Sequence, residues 1–215
     1  MNNVVSLTKM SINNFLSLKK SSIIILICFS VAASVNIGFA VMLIAMITYL
    51  FAYQTMAYED SYGINYLISY LPVTKKEYVL SRYLFNIIMM AVASLWYGVI
   101  YLISTKFNLI DFSVFSFKMI VEAGIVSSVI LISILIPLLL KLGIVKGRMA
   151  MTVIYVAVII SVITFGQSAS PEVFRVLDKF AFINGDVAVV VFSVVCMLIS
   201  YFVSNKIYNN KELLN

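Results

Sequence analysis

Of the 215 residues in the chain, 63% are hydrophobic and 11% charged; the formal charge is +6 and there is no histidine. Soluble domains carry about 25% charged residues, so this sequence has too little polar surface to coat a water-soluble globule and most of it must be solvated by lipid. That setting excludes the nucleic-acid reading of a positive chain: the basic residues are read by position, as membrane orientation.

Residues 1–17 mix Val4, Val5, Leu7, Met10 and Phe15 with Ser6, Thr8, Lys9, Ser11, Asn13 and Asn14 at near-helical spacing. The pattern predicts a short interfacial helix along the inner membrane surface, or else a frayed terminus. From Ser22 to Ala57 there is no charged residue. As one helix this run would be roughly 54 Å long, too long for a single crossing of about 30 Å. It is expected to fold back at Ser34, Asn36 and Gly38, giving spans at 18–35, anchored by Lys19 and Lys20, and at 37–57. No small-residue cleavage site follows the first run, which is therefore not read as a signal peptide. Cys28 and Cys196 lie in apolar runs without metal-ligand spacing and are expected to be small buried hydrophobes.

The segment 58–82 is predicted to be a cytoplasmic loop with structure of its own. Ile64, Leu67, Ile68 and Leu71 fall at i, i+3, i+4 and i+7, one face of a short helix that Pro72 stops. Thr74 with Glu77 spells a capping box that starts the next helix. A partly apolar, cornered element of this kind suits mechanical contact with a soluble motor.

Spans three and four follow at 83–104 and 119–140 within the segment 83–140. Asn86 in the third, and Ser127 with Ser128 in the fourth, either bond between helices or line a path. Glu122 is a functional candidate because an intramembrane carboxylate is costly, or it pairs with Lys118 one turn earlier near the outer edge. Pro137 is expected to kink the fourth span. A cytoplasmic loop at 141–148 leads to span five, 149–166, and then to an external segment, 167–186. There Ser170, Pro171 and Glu172 open a short amphipathic helix through Val173, Phe174, Val176, Leu177, Phe180 and Ala181, or else form a plain interfacial loop. Span six occupies 187–204 and a cytoplasmic tail 205–215. The fold class is thus an all-α polytopic membrane protein with six spans forming one transmembrane domain.

With both termini cytoplasmic, the inside holds Lys9, Lys19, Lys20, Lys75, Lys76, Arg82, Lys141, Lys146, Arg148, Lys206 and Lys211. The outside holds Lys106, Lys118, Arg175 and Lys179. Positively charged loops stay inside, so this bias sets the orientation and favours the hairpin at Asn36.

Glu59 and Asp60, the corner Leu71, Pro72, Val73, Thr74, Lys75 and Lys76, and the run Tyr78, Val79, Leu80, Ser81, Arg82 and Tyr83 resemble the six-span permeases of the ABC-2 type, particularly small bacterial ones. The resemblance implies a bacterial cell-membrane subunit whose 58–82 loop is a coupling helix docking on a cytosolic ATPase, with two permeases meeting two ATPases. It places Glu59 and Asp60 at the start of the coupling element, Ile64, Leu67, Ile68, Leu71, Pro72 and Val73 along it, and Lys75, Lys76 and Arg82 at its exit. It also implies cargo like that of exporters of phenol-soluble modulins, cytolytic amphipathic peptides. ATP and its magnesium would be held by the partner, since the chain lacks G-x-x-x-x-G-K-[ST] and carries no catalytic or metal-site motif. The scarcity of charge in the spans independently fits an amphipathic or lipid-like cargo. The competing readings are a non-transporting immunity or scaffold protein that binds a bacteriocin or a sensor, and a passive channel; the latter would need a continuous polar stripe, which no span shows.

Overall fold

A computed structural model describes residues 2–17, 21–63, 70, 72–108, 116–168 and 185–210. Among them there are helices and no strands: α1 Asn2–Leu16, α2 Ser21–Val35, α3 Ile37–Ser61, α4 Lys75–Lys106, α5 Phe117–Ser168 and α6 Gly185–Asn209. Among the described residues four stretches are long and apolar enough to cross a membrane: Gly38–Ser61, Lys75–Lys106, Phe117–Ile144 and Val189–Asn209. Ile24–Val35 is apolar but shorter. The protein is an all-helical, multi-pass membrane protein.

The break at Asn36 occurs where the sequence predicts it. Asn36 adopts an extended backbone (φ −131°, ψ 125°) and caps α3, its side chain accepting from the Gly38 amide at 2.8 Å. This satisfies a donor that a helix start otherwise leaves unpaired. The direction of α2 follows from two contacts with α4. Trp96 Nε1 donates to Ser30 Oγ at 2.9 Å and Ser104 Oγ to the Ser34 carbonyl at 3.4 Å, so both helices advance together. At the other end Glu59 of α3 meets Arg82 of α4, so α3 runs against α4 and hence against α2. Asn36 is therefore the tip of a helical hairpin.

The helix α3 runs parallel to the first arm of α5. A Cβ built on Gly124 would fall 2.7 Å from Ile44 Cδ1 and 3.0 Å from Ile44 Cβ, and Thr48 Oγ1 lies 3.1 Å from Ser128 Oγ one turn on. Small residues four apart let helices approach this closely where no hydrophobic drive operates between them.

Within the predicted loop 141–148 the chain makes one sharp reversal. The backbone stays helical through Pro137 and leaves helical geometry only at Gly143 (φ 76°, ψ 174°). That left-handed φ is open to glycine at no steric cost. Beyond it, a Cβ on Gly147 would lie 3.5 Å from Leu139 Cα. Residues eight apart in a continuous helix are about 12 Å apart, so the second arm has folded back on the first.

The Tyr83 hydroxyl of α4 hydrogen-bonds Ser200 Oγ of α6 at 2.6 Å and Ser204 Oγ at 2.9 Å, while Tyr78 stacks on Tyr208 with ring centroids 5.0 Å apart. Positions rise along α6 as they fall along α4, so the C-terminal end of α6 returns to the start of α4. One end of the bundle thus gathers α1, the end of α3, the start of α4, the Gly143 reversal and the end of α6. The opposite end gathers the Asn36 hairpin, the end of α4 and the start of α5, where Phe117 packs 5.8 Å from Tyr97 and 4.9 Å from Tyr101.

The core divides accordingly. One apolar cluster joins Leu7, Tyr78, Val79, Ile132, Leu139, Leu140, Met151 and Tyr208 near the first end. The other joins Ala40, Leu43, Ile44, Phe85, Met89, Tyr97 and Ile120 toward the second. Cys28, expected inside, is exposed on α2, and Cys196 is half-buried. Both fit a lipid-facing apolar role, since a thiol is tolerated in hydrocarbon. The predicted external helix at 170–181 lies outside the described residues, as do Lys19, Lys20 and Lys211 of the charge pattern.

Candidate functional site

The predicted capping box is present at the corner that re-enters the bundle. The Glu77 amide donates to Thr74 Oγ1 at 3.3 Å and Glu77 Oε2 accepts from the Thr74 amide at 2.9 Å, fixing where α4 begins. Two turns into that helix lies Arg82, buried to 1% exposure, with its guanidinium in an ion pair to Glu59, equally buried in the last turn of α3.

A buried ion pair persists only if its remaining donors and acceptors are also engaged. The helix α1 supplies most of what is needed. Ser11, fully buried, accepts from Arg82 Nη1 at 3.0 Å; its own hydroxyl reaches Glu59 Oε1 at 3.3 Å and the Leu7 carbonyl at 3.2 Å. Asn14 Nδ2 donates to the same carboxylate oxygen at 3.3 Å. The Tyr78 ring lies under the guanidinium, 4.4 Å from centroid to Cζ, a cation–π contact in a desolvated place. Arg82 Nε and Asn86 Oδ1 find no partner among the described residues, while Asn86 Nδ2 bonds the Arg82 carbonyl at 2.8 Å.

The loop's two attachment points are therefore tied to each other and to α1. At its far end α1 reaches the corner too, Asn3 Nδ2 lying 3.4 Å from the Pro72 carbonyl and 3.5 Å from Glu77 Oε1. Phe15 closes the other end against Phe51 of α3, centroids 4.5 Å apart. So α1 exists as predicted, but it is docked along α3 and α4 instead of merely lying on a surface.

Of the residues singled out in the loop, Glu59 and Arg82 come together inside, and Asp60 beside them is exposed. Pro72 and Lys76 are exposed; Val73 is half-buried against the first core cluster. Lys75 donates to the Asn209 carbonyl at 3.1 Å, joining α4 to the end of α6. Ile64, Leu67, Ile68 and Leu71 lie outside the described residues.

The singled-out span residues are scattered. Ser128 is buried, bonding the Gly124 carbonyl at 2.6 Å besides Thr48, and half-buried Ser127 bonds the same carbonyl at 3.0 Å. Glu122 pairs with Lys118 at 3.7 Å on the exposed edge of α5. Three contributors were not picked out from the sequence: Ser11, Asn14 and Tyr208. The clue was in the pattern of α1, where the buried face Val4, Leu7, Thr8, Ser11 carries two hydroxyls among apolar positions.

Both Glu59 oxygens are engaged, one by Arg82 and one by Ser11 and Asn14. No group of three His, Cys, Asp or Glu side chains among the described residues could hold a metal. The arrangement ties α1, α3 and α4 to one another at one end of the bundle.

A family model described as an ABC-2 family transporter protein matches residues 9–209, nearly the whole chain. The chain belongs to the ABC-2 transporter family. As an ABC-2 protein it is a permease subunit of an ABC transporter, a membrane component and not a catalytic domain. The family implies an ATPase partner for this ABC-2 subunit, working in a membrane. No curated protein and no solved structure gives a significant match.

Proposed function

We propose that this chain is the six-span permease of a bacterial ABC exporter that moves an amphipathic peptide, with cytosolic ATPase closure entering through residues 59–82. ATP and magnesium belong to the partner chain, and two permeases form the membrane unit. The observation that carries the reading is the buried Glu59–Arg82 pair at the two roots of the loop, tied by Ser11 and Asn14 to α1. A push on the loop can hardly move α3 without moving α4 and α1, and Tyr78 and Tyr83 extend the linkage to α6. Glu59 and Arg82 act in this reading as the brace behind the docking surface, which Asp60, Ile64, Leu67, Ile68, Leu71, Pro72, Val73, Lys75 and Lys76 form.

The charge distribution supports cytoplasmic termini. Lys9, Lys75, Lys76, Lys141, Lys146 and Lys206 all belong to the end of the bundle that carries the loop, against Lys106 and Lys118 at the other. An amphipathic cargo fits because Ser128 and Asn86 spend hydrogen bonds within the subunit, leaving the exposed faces of α4 and α6 overwhelmingly apolar.

The test replaces Leu71, Pro72 and Val73 together with glycine and alanine, then measures ATPase co-purification and secretion of cytolytic peptide. Loss of both, with the permease still in the membrane, is expected. Unchanged association and secretion would instead favour a non-transporting immunity or scaffold protein.

A further inference from the structure

The helix α1 has a second stripe that its docking leaves uncovered. Val5, Lys9 and Leu16 fall at i, i+4 and i+11, turned away from the buried face of Val4, Leu7 and Ser11. Val5 is 61% and Leu16 74% exposed, and Lys9 between them is exposed as well. No carboxylate among the described residues bridges to Lys9: Glu59 is committed to Arg82 and Glu122 to Lys118.

The depth of this stripe can be read from α4. Asn3 meets Pro72 and Glu77, and Ser11 meets Arg82, so α1 follows the first turns of α4 in the same direction. Lys9 then comes level with about Leu80, where the exposed apolar face of α4 begins with Leu80 and Leu84 and continues through Ile87 and Ile88. Leu16 lies beyond that level and Lys9 at its edge. A lysine at the boundary between an apolar wall and water, with leucine on the hydrocarbon side, matches the geometry of a phospholipid whose headgroup phosphate is anionic.

We infer that Lys9 and Leu16 form a binding site for an anionic phospholipid of the leaflet on the loop side. The ammonium of Lys9 holds the headgroup and Leu16 meets the acyl chain. Because Ser11 lies two residues from Lys9 and bonds both partners of the buried pair, the lipid steadies the same clamp. The inference needs the membrane setting alone, so it stands or fails apart from the cargo and from the coupling role of the loop.

The test uses the full chain in nanodiscs of phosphatidylcholine alone or mixed with phosphatidylglycerol. Hydrogen exchange of α1 should slow in the mixture. Phosphatidylglycerol retained on the released protein, read by native mass spectrometry, should fall about fivefold in Lys9→Gln, the loss expected for one lysine near an anionic surface. Lys106→Gln at the opposite end should retain wild-type levels. Equal exchange in both lipids, or equal retention in Lys9→Gln, overturns the site and leaves the stripe for a protein partner. Melting of each variant in detergent, expected to be unchanged, separates lost lipid from lost fold.

Discussion

Removing either partner of the Glu59–Arg82 pair leaves the other charge buried and alone, a loss of about 3–5 kcal/mol for pairs so enclosed. Glu59→Gln or Arg82→Met is therefore expected to lower the melting temperature in detergent sharply. Replacing both with methionine removes the stranded charge, so the double variant should recover most of the stability lost by either single change. If the pair serves as a brace, the double variant will melt like the wild type yet fail to secrete cargo, a separation that a purely structural pair would not produce. Tyr83→Phe gives up contacts to Ser200 and Ser204 and is expected to cost about 1 kcal/mol, since hydrogen bonds between membrane helices average about 0.6 kcal/mol each. Thermal melting of the purified chain checks both.

At the scale of elements, two glycines decide how helices meet. Gly124 holds α3 close to the first arm of α5, and any side chain there meets Ile44 at its Cβ, which cannot swing aside as a side-chain tip can. Gly124→Val should destabilise the protein by about 1–3 kcal/mol, and Ile44→Ala in the same chain should restore part of that by opening room. Gly143 works differently. Its Cβ would meet nothing within 4 Å, so the cost of Gly143→Ala is purely that of a backbone (φ 76°, ψ 174°) essentially confined to glycine, about 1–3 kcal/mol, and Asn should be tolerated no better than Ala. Ranking Gly, Asn and Ala at 143 by melting temperature distinguishes this conformational requirement from a packing one.

Considered as a whole, the molecule alternates its helices so that the loop, α1, the Gly143 reversal and the end of α6 share one end. Asn36 and Lys106 belong to the other. With Cys28 and Cys196 replaced by serine, a membrane-impermeant thiol reagent applied to intact cells should label Asn36→Cys and Lys106→Cys and should spare Ser61→Cys and Lys141→Cys. Labelling of the second pair from outside would overturn the proposed cytoplasmic termini.

The hairpin at Asn36 and the capping box at Thr74 were legible because both are local: a polar cap beside an apolar run announces itself within a few residues. The reversal at Gly143 falls within the loop expected at 141–148, but that a single glycine makes it was not legible, because a lone glycine inside an apolar run carries no sign of its φ. Composition alone determined that lipid is the solvent, since 11% charged residues cannot cover a soluble surface. Only the tertiary structure decided that Glu59 and Arg82, 23 positions apart, turn inward to each other. It also decided that Ser11 and Asn14 close the pair, because a buried charge is satisfied by whichever polar groups the packing of distant helices delivers.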